Sequence, residues 1–175
     1  MVIINKKLPK PKTSPRMKFF VDSAIPEMPF WDFCCDHGYI GIAALKTEKF
    51  SAVYFVDQIP HIIQRLKLLF EQSPQKTENY QFDFFDCGGE NINIKVYGNV
   101  IIAGVGGRTI VTILKALKNK NNLHANRLIL SPHLDINFLK DYISNELHLI
   151  NYTLVDTAEI NENGRVRPVF ILDKY

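Results

Sequence analysis

Asp32 and Asp36 stand four residues apart in Phe30-Trp31-Asp32-Phe33-Cys34-Cys35-Asp36-His37-Gly38-Tyr39, where an apolar run breaks into a polar turn and a glycine opens a helical pattern. In an open α/β sheet such a turn falls at the carboxyl end of a strand, where ligands bind. A second apolar run, Val53-Tyr54-Phe55-Val56-Asp57, also ends in an acid and is followed by Gln58. A carboxylate in that place accepts hydrogen bonds from ribose hydroxyls. A third strand pattern closes on Asp86-Cys87-Gly88-Gly89, and a fourth on Gly104-Val105-Gly106-Gly107. Asp57 is the expected ribose ligand and Asp86 the expected acceptor for an adenine amino group, with Cys87 beside it. Asp32 and Asp36 are expected around the rest of the molecule. Charge then selects among nucleoside cofactors. A pyrophosphate wants bare backbone N–H groups at the first helix N-terminus, and Asp36 would repel it; the Gly-x-Gly-x-x-Gly fingerprint is absent too. S-adenosylmethionine carries an ammonium and a sulfonium, which acids attract. The acidic loops therefore favour S-adenosylmethionine over NAD.

Regular elements must hold these loops in place. Ser14-Pro15 reads as an N-cap with proline at the first helical position, opening a helix through Met17, Phe20, Val21 and Ala24 that stops before Pro26. Strands are expected at 30–35, 52–57 and 80–85, with helices from Tyr39 and from Pro60 between them and a polar loop at 73–79. Val100 to Gly104 is a continuous apolar run, as a strand buried on both faces should be. A helix follows Gly106-Gly107, a fifth strand covers 127–130, and a helix covers 135–146. The stretches 148–157 and 166–173 read as two longer strands joined at Asn161-Glu162-Asn163-Gly164. The pattern is an α/β fold: a mostly parallel, seven-stranded, Rossmann-like sheet with helices on both faces and a C-terminal antiparallel hairpin. Most S-adenosylmethionine-dependent methyltransferases share it.

A length of 175 residues suits one domain with a full core, expected here at 14–175. No apolar run is long enough to cross a bilayer. The N-terminus turns basic at once, unlike a signal peptide, and three cysteines make no disulfide framework, so a cytoplasmic location is expected. Lys6, Lys7, Lys10, Lys12, Arg16 and Lys18 fall in an N-terminal segment without acids, leaving the remainder net acidic. Residues 1–13 are expected as a basic, flexible tail, either a solvated arm or a phosphate contact.

Asp32-x-Cys34-x-Asp36-His37-Gly38-Tyr39, Ile101-Ile102-Ala103-Gly104-Val105-Gly106-Gly107 and Leu128-Ile129-Leu130-Ser131-Pro132-His133 together resemble the bacterial tRNA (adenine-22-N1)-methyltransferase family. That family shows Asp-Ile-Gly-x-Asp-His-x-Tyr, then Ala-Gly-Met-Gly-Gly, then Leu-Gln-Pro-Asn. The resemblance runs from about Phe30 to Ile171 in the same order. It implies a class I methyltransferase fold, S-adenosylmethionine as cofactor, and transfer of a methyl group to N1 of a tRNA adenine. By position, Asp32, Asp36, His37 and Gly38 match the first cofactor loop, Asp57 the ribose carboxylate, and Asp86 the acid of the third loop. Gly104, Gly106 and Gly107 match the loop beneath the transferable methyl. The chain departs from the family at Cys34, which replaces a loop glycine, and at Phe85 and Cys87 around Asp86. Val105 replaces methionine, Ser131 and His133 replace glutamine and asparagine, and the family's helical extension has no counterpart before Tyr175. These departures leave two further readings open: a catalytically decayed RNA-binding or interaction module, and a methyltransferase for a small molecule.

Single residues carry alternatives of their own. His37 orients the loop or acts as a base, but N1 of adenine has its own lone pair and needs none, so no catalytic residue is assigned. Cys34, Cys35 and His37 lack a second ligand pair, and no metal is expected. A nucleophilic Cys34 or Cys35 would need a lowered pKa, which Asp32 and Asp36 oppose. Arg108, with Lys115 or Lys118, is a candidate phosphate contact. Pro132 and His133 are candidate substrate contacts. The oligomeric state is not legible.

Overall fold

Side chains alternate across the strands and sort the core into two layers. Val100, Ile102, Leu128 and Leu130 join one buried cluster, while Ile101, Ala103 and Ile129 join the other, because successive side chains of a strand leave opposite faces. The computed structural model describes residues 14–73, 81–162 and 164–175. The expected tail at 1–13 and most of the polar loop at 73–79 lie outside the described residues. The strands are β1 (Phe30–Phe33), β2 (Val53–Asp57), β3 (Phe82–Asp86), β4 (Asn99–Ala103), β5 (Arg127–Ser131), β6 (Tyr152–Glu162) and β7 (Arg165–Lys174). They form one seven-stranded sheet in the order β3-β2-β1-β4-β5-β7-β6. β1 to β5 are parallel, and β7 runs antiparallel to both β5 and β6.

Helices α1 (Pro15–Ser23), α2 (Tyr39–Leu45) and α3 (Pro60–Glu71) supply Phe20, Ile42, Ile63 and Leu66 to one layer. Helices α4 (Gly107–Asn119) and α5 (Ile136–Glu146) supply Ile110, Leu114, Leu117 and Leu139 to the other. The first helix starts as its sequence dictates: Pro15 occupies the first turn, and the Ser14 side chain accepts from the Met17 N–H at 3.3 Å.

Several expected boundaries move, β6 at both ends, since it runs on to Glu162 rather than to 157. β1 stops at Phe33 rather than at residue 35, because Cys34 turns into the left-handed region at φ 57. β6 begins at Tyr152 rather than at 148. Leu147 and Ile150 are buried three apart on a short 3₁₀ turn that Asn151 ends at φ 62. The Tyr152 hydroxyl then donates to the Ala125 carbonyl at 2.6 Å and anchors the strand.

The strand order fixes the place of the site. β1 pairs with β2 on one side and β4 on the other, so the connections leave β1 and β4 in opposite directions. A crevice opens at such a reversal, at the carboxyl ends of the strands.

Candidate active site

The loop after β1 is a run of left-handed turns. Cys34 sits at φ 57, Asp36 at φ 46 and Gly38 at φ 68. For the two residues with side chains this conformation costs about 1–2 kcal/mol each, so neighbouring contacts must impose it. The Cys35 N–H donates to the Val56 carbonyl at 3.1 Å, and the Gly38 N–H to the Cys35 carbonyl at 2.7 Å. The Asp36 N–H donates to Asp57 Oδ2 at 3.0 Å, while Arg65 Nη2 reaches the Asp36 carbonyl at 3.4 Å.

Asp57 is only 7% exposed, and its other oxygen accepts from the Ile59 N–H at 3.0 Å. One carboxylate at the end of β2 thus ties together the first two loops. Each of its oxygens keeps acceptor capacity for a ligand hydroxyl. Asp32 is buried deeper, at 1% exposure, and accepts from the Gly41 N–H at 2.8 Å. Burial pushes its carboxyl up to about 8; the Gly41 bond opposes the rise, and the charges of Asp57 and Asp36 add to it.

This has a consequence for stability. A carboxyl raised from 3.8 to about 8 holds a proton in the folded state that the unfolded chain has already released. Stability therefore falls as pH climbs from about 4 toward 8, then levels off. Asp32→Asn keeps an acceptor for Gly41 but cannot ionise. Thermal melts between pH 5.5 and pH 8.5, approximate limits chosen to bracket the transition, should show the wild type losing more stability than this variant. Equal slopes would contradict the assignment.

Cys34, Phe85, Cys87 and Val105 pack, partly buried, against the cluster that includes Phe33, Val56 and Ile102. All four fall at or just beyond the ends of β1, β3 and β4, on the same side of the sheet's strand ends as the acids. Burial, and then Asp57, Asp32 and Glu90, push the Cys34 thiol up to about 12. Burial also raises Cys35 and Cys87. All three are thiols at neutral pH, so none is an activated nucleophile. Glu90 is a neighbour of the candidate site that sequence reasoning missed. It lies on the 3₁₀ turn Gly89–Asn91, and its charge acts on both Cys34 and Cys87. The glycine pair before it was the available signal. Gly89 presses so close to Phe33 that a Cβ there would lie 2.6 Å from the ring, which brings the third loop onto the end of β1.

The loops after β4 and β5 run side by side. The Gly104 N–H donates to the Ser131 carbonyl at 3.3 Å, the His133 N–H to Val105 at 3.0 Å, and the Gly107 N–H to Leu134 at 2.9 Å. β7 holds this pair from behind: Ser131 Oγ donates to the Pro168 carbonyl at 3.0 Å, and Arg167 Nη1 reaches the His133 carbonyl at 3.4 Å. Pro132 is buried, and His133 is half-buried on the rim.

The expected site residues thus fall into two groups. Asp32, Cys34, Asp57, Cys87, Gly104, Val105, Gly106 and Gly107 lie at the adjoining ends of β1 to β4, with Gly38 buried at the start of α2. Asp36, His37, Gln58, Asp86 and Arg108 lie exposed around them. Asp36 contributes its backbone to the site, while its carboxylate lies 3.7 Å from His37 Nε2 at the surface. The His37 ring stacks on Tyr39 at 5.1 Å, an orienting contact. Among the described residues, no group of three or more His, Cys, Asp or Glu is placed to hold a metal, and no helix is long and apolar enough to cross a membrane.

A strand-order reversal with acidic residues at the carboxyl ends of the strands is the architecture of a Rossmann-like methyltransferase. The chain belongs to the methyltransferase-domain family, whose model matches residues 13–169. Solved structures share the fold. A protein from Listeria monocytogenes serotype 4b is 23% identical with a TM-score of 0.75, over 93% of this chain and 68% of that one. The B. subtilis m1A22 tRNA methyltransferase TrmK is 22% identical with a TM-score of 0.76, over 97% of this chain and 68% of that one. TrmK of M. capricolum, solved with S-adenosylhomocysteine, is 19% identical with a TM-score of 0.69, over 92% of this chain and 68% of that one. No curated protein matches the chain in sequence.

Proposed function

We propose that the protein is an S-adenosylmethionine-dependent methyltransferase that acts on RNA, with N1 of a tRNA adenine as the acceptor. The carrying observation is the charge of the crevice. Asp32 is buried, and the neighbouring charges that act on it, those of Asp57 and Asp36, are both negative. A cationic ligand relieves that arrangement and an anionic one aggravates it. The apolar side chains of Cys34, Phe85, Cys87 and Val105 suit a flat heterocycle.

Asp57 would hold the ribose, Asp32 and the loop 34–38 the amino-acid end, Asp86 and Gln58 the adenine rim, and Gly104 to Gly107 the side facing the acceptor. When bound, the cofactor supplies an electrophilic methyl group on its sulfonium. The chain's own work is positioning, which can provide much of such a rate enhancement when reacting atoms are held in line. N1 of adenine brings its own lone pair, so no base is required. The target base must leave its stack, at a cost of a few kcal/mol, and the rim at Pro132 and His133 is where it would enter.

Support for a tRNA substrate comes from the three motifs in order and from TrmK structures with the same fold. The basic segment at residues 1–18 would add phosphate contacts. Its last described members, Arg16 and Lys18, lie on α1, and Arg16 pairs with Glu162 at 3.2 Å. Titration calorimetry with S-adenosylhomocysteine tests the cofactor reading, and no heat at millimolar ligand would reject it. Methylation of an unmodified tRNA transcript, with the product mapped by nucleoside mass spectrometry, tests the acceptor.

One observation bears on the competing reading of a decayed module. The Cys34 side chain packs, partly buried, against the apolar cluster, and its backbone takes the left-handed conformation that a loop glycine would supply, so the loop keeps its course with the cysteine in place. Cys34→Gly should therefore leave S-adenosylhomocysteine affinity within about threefold, under ~0.7 kcal/mol. A gain of more than about tenfold (~1.4 kcal/mol) would mark the cysteine as a defect and favour the decayed module.

A further inference from the structure

Beside the candidate acceptor entrance lies a surface that the proposed cofactor site leaves unused. Leu134 is 62% exposed, yet its backbone is fixed: its carbonyl accepts from the Gly107 N–H at 2.9 Å, and it bridges to Gly106 in parallel register. Burying this side chain would require no ordering of the main chain. Phe138, on the first turn of α5, is 38% exposed, and the Arg108 guanidinium stands over its ring, 4.3 Å from the centroid. Asp135 steadies Arg108 through Nε at 3.6 Å, which takes up none of the donors on the two terminal amino groups. An isolated exposed leucine signifies little. Here the leucine, on the loop after β5, stands with an aromatic ring on the first turn of α5 and a guanidinium on the first turn of α4, on the segments that follow β5 and β4.

The charge of this rim differs from that of the crevice. Arg108, Lys115 and Lys118 are the charged residues of α4, which has no acid. Lys115 repeats the arrangement two turns on, over the Tyr142 ring at 5.1 Å and paired with Glu146 at 2.6 Å. An apolar and aromatic platform with a cation at its edge is what a nucleotide needs: a surface for the base and a partner for its phosphate.

Resting on the RNA reading above, we infer that Leu134, Phe138 and Arg108 form a subsite for the nucleotide next to the methylated base. Leu134 and Phe138 meet the base, and Arg108 meets its phosphate. Such a subsite would hold the strand while the target base is turned out, and would give the enzyme a preference for RNA over free adenosine.

The test is fluorescence anisotropy with an end-labelled, unmodified tRNA transcript, alongside titration of S-adenosylhomocysteine. Phe138→Ala should weaken tRNA binding about tenfold, in the lower half of the range for losing one stacked base. Leu134→Ser should weaken it about fivefold, as loss of one partly buried apolar contact. Because Leu134 is so exposed, its variant carries the test if Phe138→Ala disturbs packing. Arg108→Gln should lower the slope of log affinity against log salt by about 0.7–0.9, one phosphate's worth. Cofactor-product affinity within about twofold of wild type in each variant would show an intact fold. If wild type binds tRNA and the variants bind it equally well, the subsite is overturned while the RNA reading stands. If wild type binds no tRNA at the same concentrations, both are overturned.

Discussion

Replacing Asp57 with alanine should lower affinity for S-adenosylhomocysteine by at least tenfold and cost roughly 3 kcal/mol of stability, with the domain still folded. Asp57 accepts from the N–H groups of Asp36 and Ile59, each at 3.0 Å, and it is nearly buried. Hydrogen bonds to charged groups contribute about 1.5–3 kcal/mol each, and alanine would leave both donors without an acceptor. The same carboxylate is the proposed ribose ligand, so the variant would lose direct contacts and the geometry of the first loop together. Asp57→Asn separates the two effects, since its single carbonyl oxygen can still satisfy one donor. Its stability should fall between wild type and Asp57→Ala, while its affinity should lie closer to the alanine variant. Calorimetric titration and thermal melts on the three proteins decide this. Unchanged affinity in Asp57→Ala would remove Asp57 from the proposed site.

The second large effect is expected at Gly107. A Cβ there would lie 2.3 Å from the Asp135 carbonyl oxygen and 3.1 Å from Leu139 Cβ. The obstacle is backbone, so it cannot rotate away as a side chain would. Gly107→Ala must push the loop after β4 from the loop after β5, breaking the bond from Gly107 to Leu134. Overpacking of this kind typically costs about 1–3 kcal/mol, and the upper end applies when main chain must move. A melting temperature lower by roughly 5–10 °C follows for a domain of this size. Gly104→Ala is the comparison. Gly104 sits at φ 78 with nothing within 4 Å of its would-be Cβ, so only backbone strain of about 1 kcal/mol opposes the change. Equal losses in the two variants would mean that close approach is not what Gly107 provides.

These glycines show where reading the chain stops. Gly104, Gly106 and Gly107 look equivalent in Ala-Gly-x-Gly-Gly, and the repeat alone marks a tight turn between a strand and a helix. The turn is there. What distinguishes its glycines is the main chain of Asp135, nearly thirty residues further along the sequence, which no local pattern can announce. Cys34 teaches the same lesson. Its place after a strand was legible, but the direction of its side chain depends on a left-handed φ set by partners on β2 and its loop.

Periodicity determined the elements, because burial repeats every second residue in a strand and every third or fourth in a helix. It therefore yielded the parallel units, the closing hairpin and the strand-end positions of Asp32, Asp57, Asp86 and Gly104. It failed at 148–150, where a buried pair three apart forms a 3₁₀ turn that is too short to show a period. Acidic residues at three strand ends likewise led to the proposal of a cationic ligand. The tertiary structure alone decided which acids are buried and which are surface groups. Asp32 is enclosed, whereas Asp36 reaches solvent and lends its N–H to Asp57. It also brought Glu90 to Cys34, and set Phe138 and Asp135 beside Arg108. The reason is physical: burial and charge coupling depend on distance through space, and the sheet order that sets those distances is a property of the whole chain.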